Sequence, residues 1–143
     1  MDQIDTLSTP TVLLVESEDS LRRIMSVSIT ELRMRVLEVA DLESAIDLLK
    51  TEHPEVLVIE YDFPFGHNGK LIELFRRHKG KRQGTVVVTT TRRLEAPWRR
   101  QYRPDATLYK PFDIRNLCKT IKSLVGKNHA KYRRSSTIDG TKG

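Results

Sequence analysis

The chain is short of the features that mark extracellular, membrane and metalloenzyme proteins. Its one cysteine, Cys118, leaves no intrachain disulfide and fits a reducing compartment. No apolar run approaches the roughly 20 residues that a membrane-spanning helix needs. The N-terminus Met1-Asp2-Gln3-Ile4-Asp5 has no secretory pattern, so no membrane association and a cytoplasmic location are expected. The histidines, His53, His67, His78 and His129, show neither metal-ligand spacing nor a Ser or Cys partner pattern. Zinc and hydrolase chemistry are therefore disfavoured, and no catalytic residue is assigned. Helix-turn-helix, zinc-finger and RNA-binding motifs are also missing.

What is present fits one domain of ordinary size with a heavily charged surface, at 143 residues and 31% Asp, Glu, Lys and Arg. The net charge of +6 is unevenly placed. Residues 126–143 carry five basic side chains, Lys127, Lys131, Arg133, Arg134 and Lys142, against Asp139. That leaves only +2 for the rest of the chain. Three segments are expected: a polar lead-in at 1–10, a domain at 11–125 and a basic, flexible tail or linker at 126–143.

Hydrophobic patterning alternates strands with helices. Thr11–Val15 reads as a strand, followed by a helix with Leu21, Ile24, Met25, Ile29 and Leu32 on one face and Asp19 or Ser20 as its cap. Val36–Val39 is a weaker strand, with Glu38 between apolar neighbours as at a sheet edge. Leu42, Ala45, Ile46 and Leu49 define a second helix, closed by His53-Pro54. The apolar run Val56–Ile59 is a buried parallel strand ending at Glu60. A third helix carries Leu71, Leu74 and Phe75, and Thr85–Thr89 is the fourth strand. Pro97 sets the start of a short helix or kinks it. Ala106–Tyr109 is the last strand, and Asp113 caps a helix bearing Ile114, Leu117, Cys118, Ile121, Leu124 and Val125. Strict alternation predicts an α/β fold, a doubly wound five-stranded parallel sheet of order 2-1-3-4-5 with helices on both faces.

In that order the carboxyl ends of strands 1, 3, 4 and 5 bring Glu16, Glu60, Thr89 or Thr90, and Lys110 around one crevice. Two acids suit a hard cation such as Mg²⁺, and a hydroxyl and a lysine suit a phosphoryl oxygen. Each residue alone is an ordinary strand-end side chain. Four at one edge of one sheet are a candidate site.

The motifs over residues 10–125 resemble the receiver domain of bacterial two-component response regulators, whose fold is the flavodoxin-like one of the chemotaxis receiver protein. Val12-Leu13-Leu14-Val15-Glu16-Ser17-Glu18-Asp19 is similar to the family's first strand and acidic pair. Ala40–Ala45 is similar to the entry to its second helix, and Pro54–Glu60 with Pro64 to its acceptor strand and loop. Lys110-Pro111-Phe112 is similar to the family's Lys-Pro-Phe, whose Lys-Pro peptide is usually cis. The resemblance implies Glu60 at the phosphoacceptor position, an acidic pocket from Glu16, Ser17, Glu18 and Asp19, and Lys110 as the pocket lysine. It also implies a switch hydroxyl at Thr89 or Thr90 and a switch-aromatic position at Thr107, with Tyr109 just before Lys110.

The departures from the family shape the expected function. Ser17 stands where a second metal-binding acid is usual, and the acceptor is Glu instead of Asp. Gly69 lies one residue further from Pro64 than the family spacing. Glu carries its carboxylate about 1.5 Å further out, and a misplacement near 1 Å costs in-line transfer around 10²-fold. Efficient phosphorylation is not expected. Glu16 and Glu60 would bind Mg²⁺ only weakly, and no cofactor is required. The leading expectation is a degenerate receiver in two-component-type signalling, a phosphorylation-independent protein-interaction module. Glu60 would be either a permanent mimic of the phosphorylated state or a polar strand-end residue left after the chemistry was lost. Its partner would be a histidine kinase, an output domain or another signalling protein, and the chain itself a monomer or weak dimer. The docking face would be residues 92–112, with Arg92, Arg93, Trp98, Arg99, Arg100, Tyr102, Arg103 and Tyr109, residue types enriched at interface hot spots. One alternative is an Mg²⁺-dependent acceptor using Glu60, or Asp62 beyond the strand end. The other is a nucleic-acid adaptor using these arginines and the basic run 76–82.

Overall fold

The computed structural model describes residues 9–63, 68–77 and 84–127. The lead-in to residue 8, loop residues 64–67, the basic stretch 78–83 and the tail from 128 lie outside them, so expectations placed there are not addressed.

Five strands, β1 (Thr11–Val15), β2 (Arg35–Val39), β3 (Val56–Glu60), β4 (Thr85–Thr90) and β5 (Ala106–Tyr109), form one sheet of order β2-β1-β3-β4-β5. Every pairing is parallel. The helices are α1 (Asp19–Thr30), α2 (Leu42–Leu48), α3 (Asn68–Arg77), α4 (Ala96–Tyr102) and α5 (114–127). Consecutive side chains of a strand point to opposite faces, so the sheet separates two cores. Val12, Leu14, Val56, Val58 and Val87 pack against Met25 and Ile29 of α1 and Leu117 and Ile121 of α5. Leu13, Val15, Leu57, Ile59, Val86 and Val88 pack on the other face against Ala45 of α2 and Leu71, Ile72 and Phe75 of α3. The central strand β3 is buried throughout, and each of its apolar side chains is worth roughly 1.5–3 kcal/mol on burial.

Three local expectations are revised. Ile24 is not on the buried face of α1; it is 52% exposed, as is Val27 at 55%, and only Met25 and Ile29 are buried there. Neither Asp19 nor Ser20 caps α1. The N-cap is Glu18, which makes no side-chain capping bond, while Asp19 pairs with Arg22 at 2.6 Å. The second helix ends at Leu48 and gives way to turn residues before His53-Pro54. Asp113, by contrast, caps α5 as expected, its carboxylate accepting from the Arg115 amide at 2.8 Å.

Candidate functional site

The alternation of the strands decides which strand-end residues share a pocket. Glu16 continues the parity of Val12 and Leu14, Glu60 that of Val56 and Val58, Thr89 that of Val87, and Lys110 that of Ala106 and Leu108. All four therefore leave the sheet toward the α1/α5 side. The ladder continues past the strand ends, since the Glu16 amide donates to the Val39 carbonyl and the Lys110 amide to the Thr90 carbonyl. Register sets Thr89 directly beside Glu60. Thr90, Thr107 and Tyr109 have the opposite parity. Of the two candidate hydroxyls, Thr89 is the one on the pocket face. Thr90 instead donates to the Arg92 carbonyl at 2.6 Å.

Within the pocket, Glu60 is bonded on both oxygens. Oε1 accepts from the Ser17 amide at 3.1 Å and from the Ser17 hydroxyl at 2.8 Å, and Oε2 accepts from Lys110 Nζ at 2.8 Å. The same Nζ lies 2.8 Å from Glu16 Oε1. That second contact is an ion pair without directed hydrogen-bond geometry, because Glu16 Oε1 has no hydrogen-bond partner. Glu16 Oε2 accepts from the Glu18 amide at 3.0 Å. One ammonium thus serves two carboxyl groups in a space where the Glu16 side chain is only 1% exposed.

The ionisation of the three groups follows from this sharing. Burial pushes the Glu16 carboxyl up, and Lys110 and the Glu18 amide only partly offset it. Burial also acts on Glu60, but hydrogen bonds from Lys110 and both Ser17 donors outweigh it and hold this carboxyl below its usual range. Lys110 is desolvated too, yet the two glutamates raise it above an ordinary lysine. At neutral pH Glu60 and Lys110 are charged.

The other expected acids fall elsewhere. Ser17 joins the pocket; Glu18 contributes its amide, and Asp19 faces solvent beside Arg22. The expected docking face also divides. Arg93, Arg99, Arg100 and Arg103 are exposed and in no ion pair among the described residues, and Tyr109 is 54% exposed. Trp98 and Tyr102 belong instead to the packing under α4. Trp98 meets the Tyr61 ring edge-on at 4.8 Å between centroids and Tyr102 at 5.1 Å.

One functional-looking residue has a role that spacing did not reveal. Asp62 accepts from the Thr91 amide at 2.6 Å, the Thr91 hydroxyl at 2.9 Å and Arg92 Nε at 3.0 Å. Its partners lie 29 and 30 positions along the chain, so no local pattern carries the signal.

A parallel sheet of this order, with an acid at the end of β3, an acid after β1, a hydroxyl on β4 and a lysine after β5 followed by a cis Lys110–Pro111 peptide, defines the receiver class. Residues 12–122 match the model of the response regulator receiver domain, and the chain belongs to that family of two-component signalling modules. It is 27% identical over 116 residues to the phosphate regulon transcriptional regulatory protein PhoB of Klebsiella pneumoniae, covering 80% of this chain and 51% of that protein. It is 30% identical over 83 residues to the transcriptional regulatory protein AfsQ1 of Streptomyces coelicolor, covering 58% of this chain and 36% of that protein. The chain thus spans about half or less of the curated relatives it matches. Its fold is similar to the receiver domain protein of Methanospirillum hungatei, with TM-score 0.76, 14% identity and coverage of 86% and 98% of the two chains. The Vibrio cholerae chemotaxis protein CheY4 gives TM-score 0.71 at 19% identity, covering 80% and 98%. Among the described residues no helix is long and apolar enough to cross a membrane.

Proposed function

We propose that this receiver domain works as a protein-interaction module whose docking state does not depend on phosphorylation. The observation that carries the reading is the saturation of Glu60. Both oxygens are engaged by Ser17 and Lys110 without any phosphoryl group. An incoming phosphoryl donor would have to displace the charge-assisted bond to Lys110, worth about 1.5–3 kcal/mol, before attack. The glutamate already makes the contact to the pocket lysine that a phosphoryl oxygen would make, which supports its role as a permanent mimic.

Mg²⁺ fits this donor set poorly. The ion wants near-octahedral oxygen ligands at about 2.0–2.1 Å. Here the two carboxylates converge on an ammonium, and the neighbouring position offers Ser17, whose hydroxyl is committed to Glu60. The partner would be a signalling protein, a kinase or an output domain, docking on the exposed arginines of the β4–α4 segment and on Tyr109. Incubation with acetyl phosphate and Mg²⁺, followed by intact mass spectrometry, tests the reading. No stable phosphoryl adduct is expected, and an adduct mapped to Glu60 or Asp62 would overturn it.

A further inference from the structure

Helix α4 carries the arginine face but has no fully buried residue of its own. Its position must come from contacts at its two ends and along its aromatic side. At its C-terminal end, Arg76 of α3 donates to the Tyr102 and Arg103 carbonyls. Tyr102 lies so close over Gly69 that a Cβ there would overlap the ring. At its leading end the contacts come from the two residues that follow Glu60. The Tyr61 hydroxyl accepts from the Glu95 amide at 3.4 Å, and its ring meets Trp98. The Arg92 guanidinium sits 5.0 Å from the Tyr61 ring centroid, a cation–π distance.

Asp62 ties this arrangement to the sheet. Its Oδ2 takes both donors of Thr91, and its Oδ1 takes Arg92 Nε. The Thr90 hydroxyl lies 3.3 Å from Oδ2, but its one proton serves the Arg92 carbonyl at 2.6 Å. Thr90 therefore closes the turn on itself, and Asp62 anchors that closed turn. None of these bonds involves Glu60, Lys110 or Ser17.

We infer that Asp62 is the positioning residue that fixes the Thr91–Tyr102 segment, and with it the arginine face, independently of the Glu60 pocket. Its consequence for docking rests on the reading of that face as the partner surface; the positioning itself does not. A receiver arranged this way holds the segment leading into α4 by a carboxylate two residues beyond the acceptor position.

Trp98 is the only tryptophan in the chain and reports directly on this segment. Asp62→Ala and Glu60→Gln should be compared in the full chain by tryptophan emission and by ¹⁵N amide spectra. Asp62→Ala is expected to red-shift Trp98 emission and to move the amides of Thr90 to Tyr102, while amides of α1 and α5 stay in place. Glu60→Gln is expected to move Ser17, Glu18 and Lys110 and to leave Trp98 unchanged. Asp62→Asn, which keeps an acceptor for Arg92 and loses the charge, should give an intermediate shift. If Asp62→Ala does not fold, Thr91→Val combined with Arg92→Gln removes the two side-chain bonds to Asp62 from the exposed side, leaves the Thr91 amide bond, and should shift Trp98 in the same direction by less. An unchanged Trp98 signal, an equal response to Glu60→Gln, or changes spread through α1 and α5 would each overturn the inference. A phosphoryl adduct mapped to Glu60 would remove the proposed function and leave this result standing, whereas one on Asp62 would overturn both.

Discussion

Two carboxylates leave the end of β3 two positions apart, Glu60 into the buried pocket beside β1 and β5 and Asp62 into the turn that follows β4. Folding holds both below the usual carboxylate range although burial opposes each. The offset comes from different sources. For Glu60 it comes from a desolvated lysine and a serine inside the pocket; for Asp62 it comes mainly from the Thr91 amide and hydroxyl and an arginine at the surface. Charge balance inside a pocket is an all-or-none matter, because one ammonium serves two acids. A set of short surface bonds can be weakened one at a time. Pocket substitutions should therefore act on global stability, and Asp62 substitutions on the local placement of α4.

The largest effect should follow from Lys110→Met. It leaves Glu16 and Glu60 facing each other without a cation, and removing one partner of a buried pair costs about 3–5 kcal/mol. Urea denaturation should report a loss of that order, and adding Glu60→Gln to the same chain should recover part of it. A loss below about 1 kcal/mol would mean that water, not Lys110, balances the pocket. At alkaline pH the wild type should show the same dependence. The stability contributed by Lys110 is fully present below the ordinary lysine pKa and is lost as pH rises through its raised value.

Glu60→Gln comes next, at about 1.5–3 kcal/mol, the worth of hydrogen bonds to a charged group. Its sharper signature is in acid. The stability from Glu60 and Asp62 is complete above the ordinary carboxylate range and is lost as pH falls through their lowered values. Glu16 has the opposite sign: its contribution is complete below the ordinary range and is lost as pH rises through its raised value. Glu60→Gln should flatten the acid limb of stability against pH, and Glu16→Gln should steepen it. Equal slopes in the two variants would show that the glutamates are not held differently.

Asp62→Asn should cost less, about 1 kcal/mol, because its carboxylate is partly solvated and retains an acceptor. It too should flatten the acid limb. Unlike Glu60→Gln, it should change the Trp98 environment at neutral pH.

How much of this was legible in the sequence depended on the range of the signal. Strand order, the buried run Val56–Ile59 and the strand-end positions of Glu16, Glu60 and Lys110 follow from apolar runs and βα alternation, which are local. The choice between Thr89 and Thr90 was not legible. β4 is buried on both faces, so Val86-Val87-Val88 carries no alternation to set parity. Only register with Glu60 assigns it. Ile24 was misplaced because it has helical spacing with Met25 yet lies past the edge of the buried stripe. Trp98 and Tyr102 match an interface composition and a core composition equally well. Only the contact with Tyr61 and the close approach to Gly69 separate the two.

The smallest change in stability, and the finest test of the comparison, is Gly69→Ala. Replacing a helical glycine by alanine gains up to about 1 kcal/mol where space allows. Here the new methyl would overlap the far end of the Tyr102 ring, which can swing away only by giving up its contact with Trp98. Overpacking of this kind costs about 1–3 kcal/mol when nothing yields, and Tyr102 is only half-buried, so the ring yields. Denaturation should then place the variant within about 1 kcal/mol of wild type, while near-ultraviolet circular dichroism of Trp98 changes. The pocket amides of Ser17 and Lys110 should not move, because no bond connects Tyr102 to them. Movement there would couple the Glu60 pocket to the turn beyond it and break the division between a pocket that sets stability and a turn that sets α4.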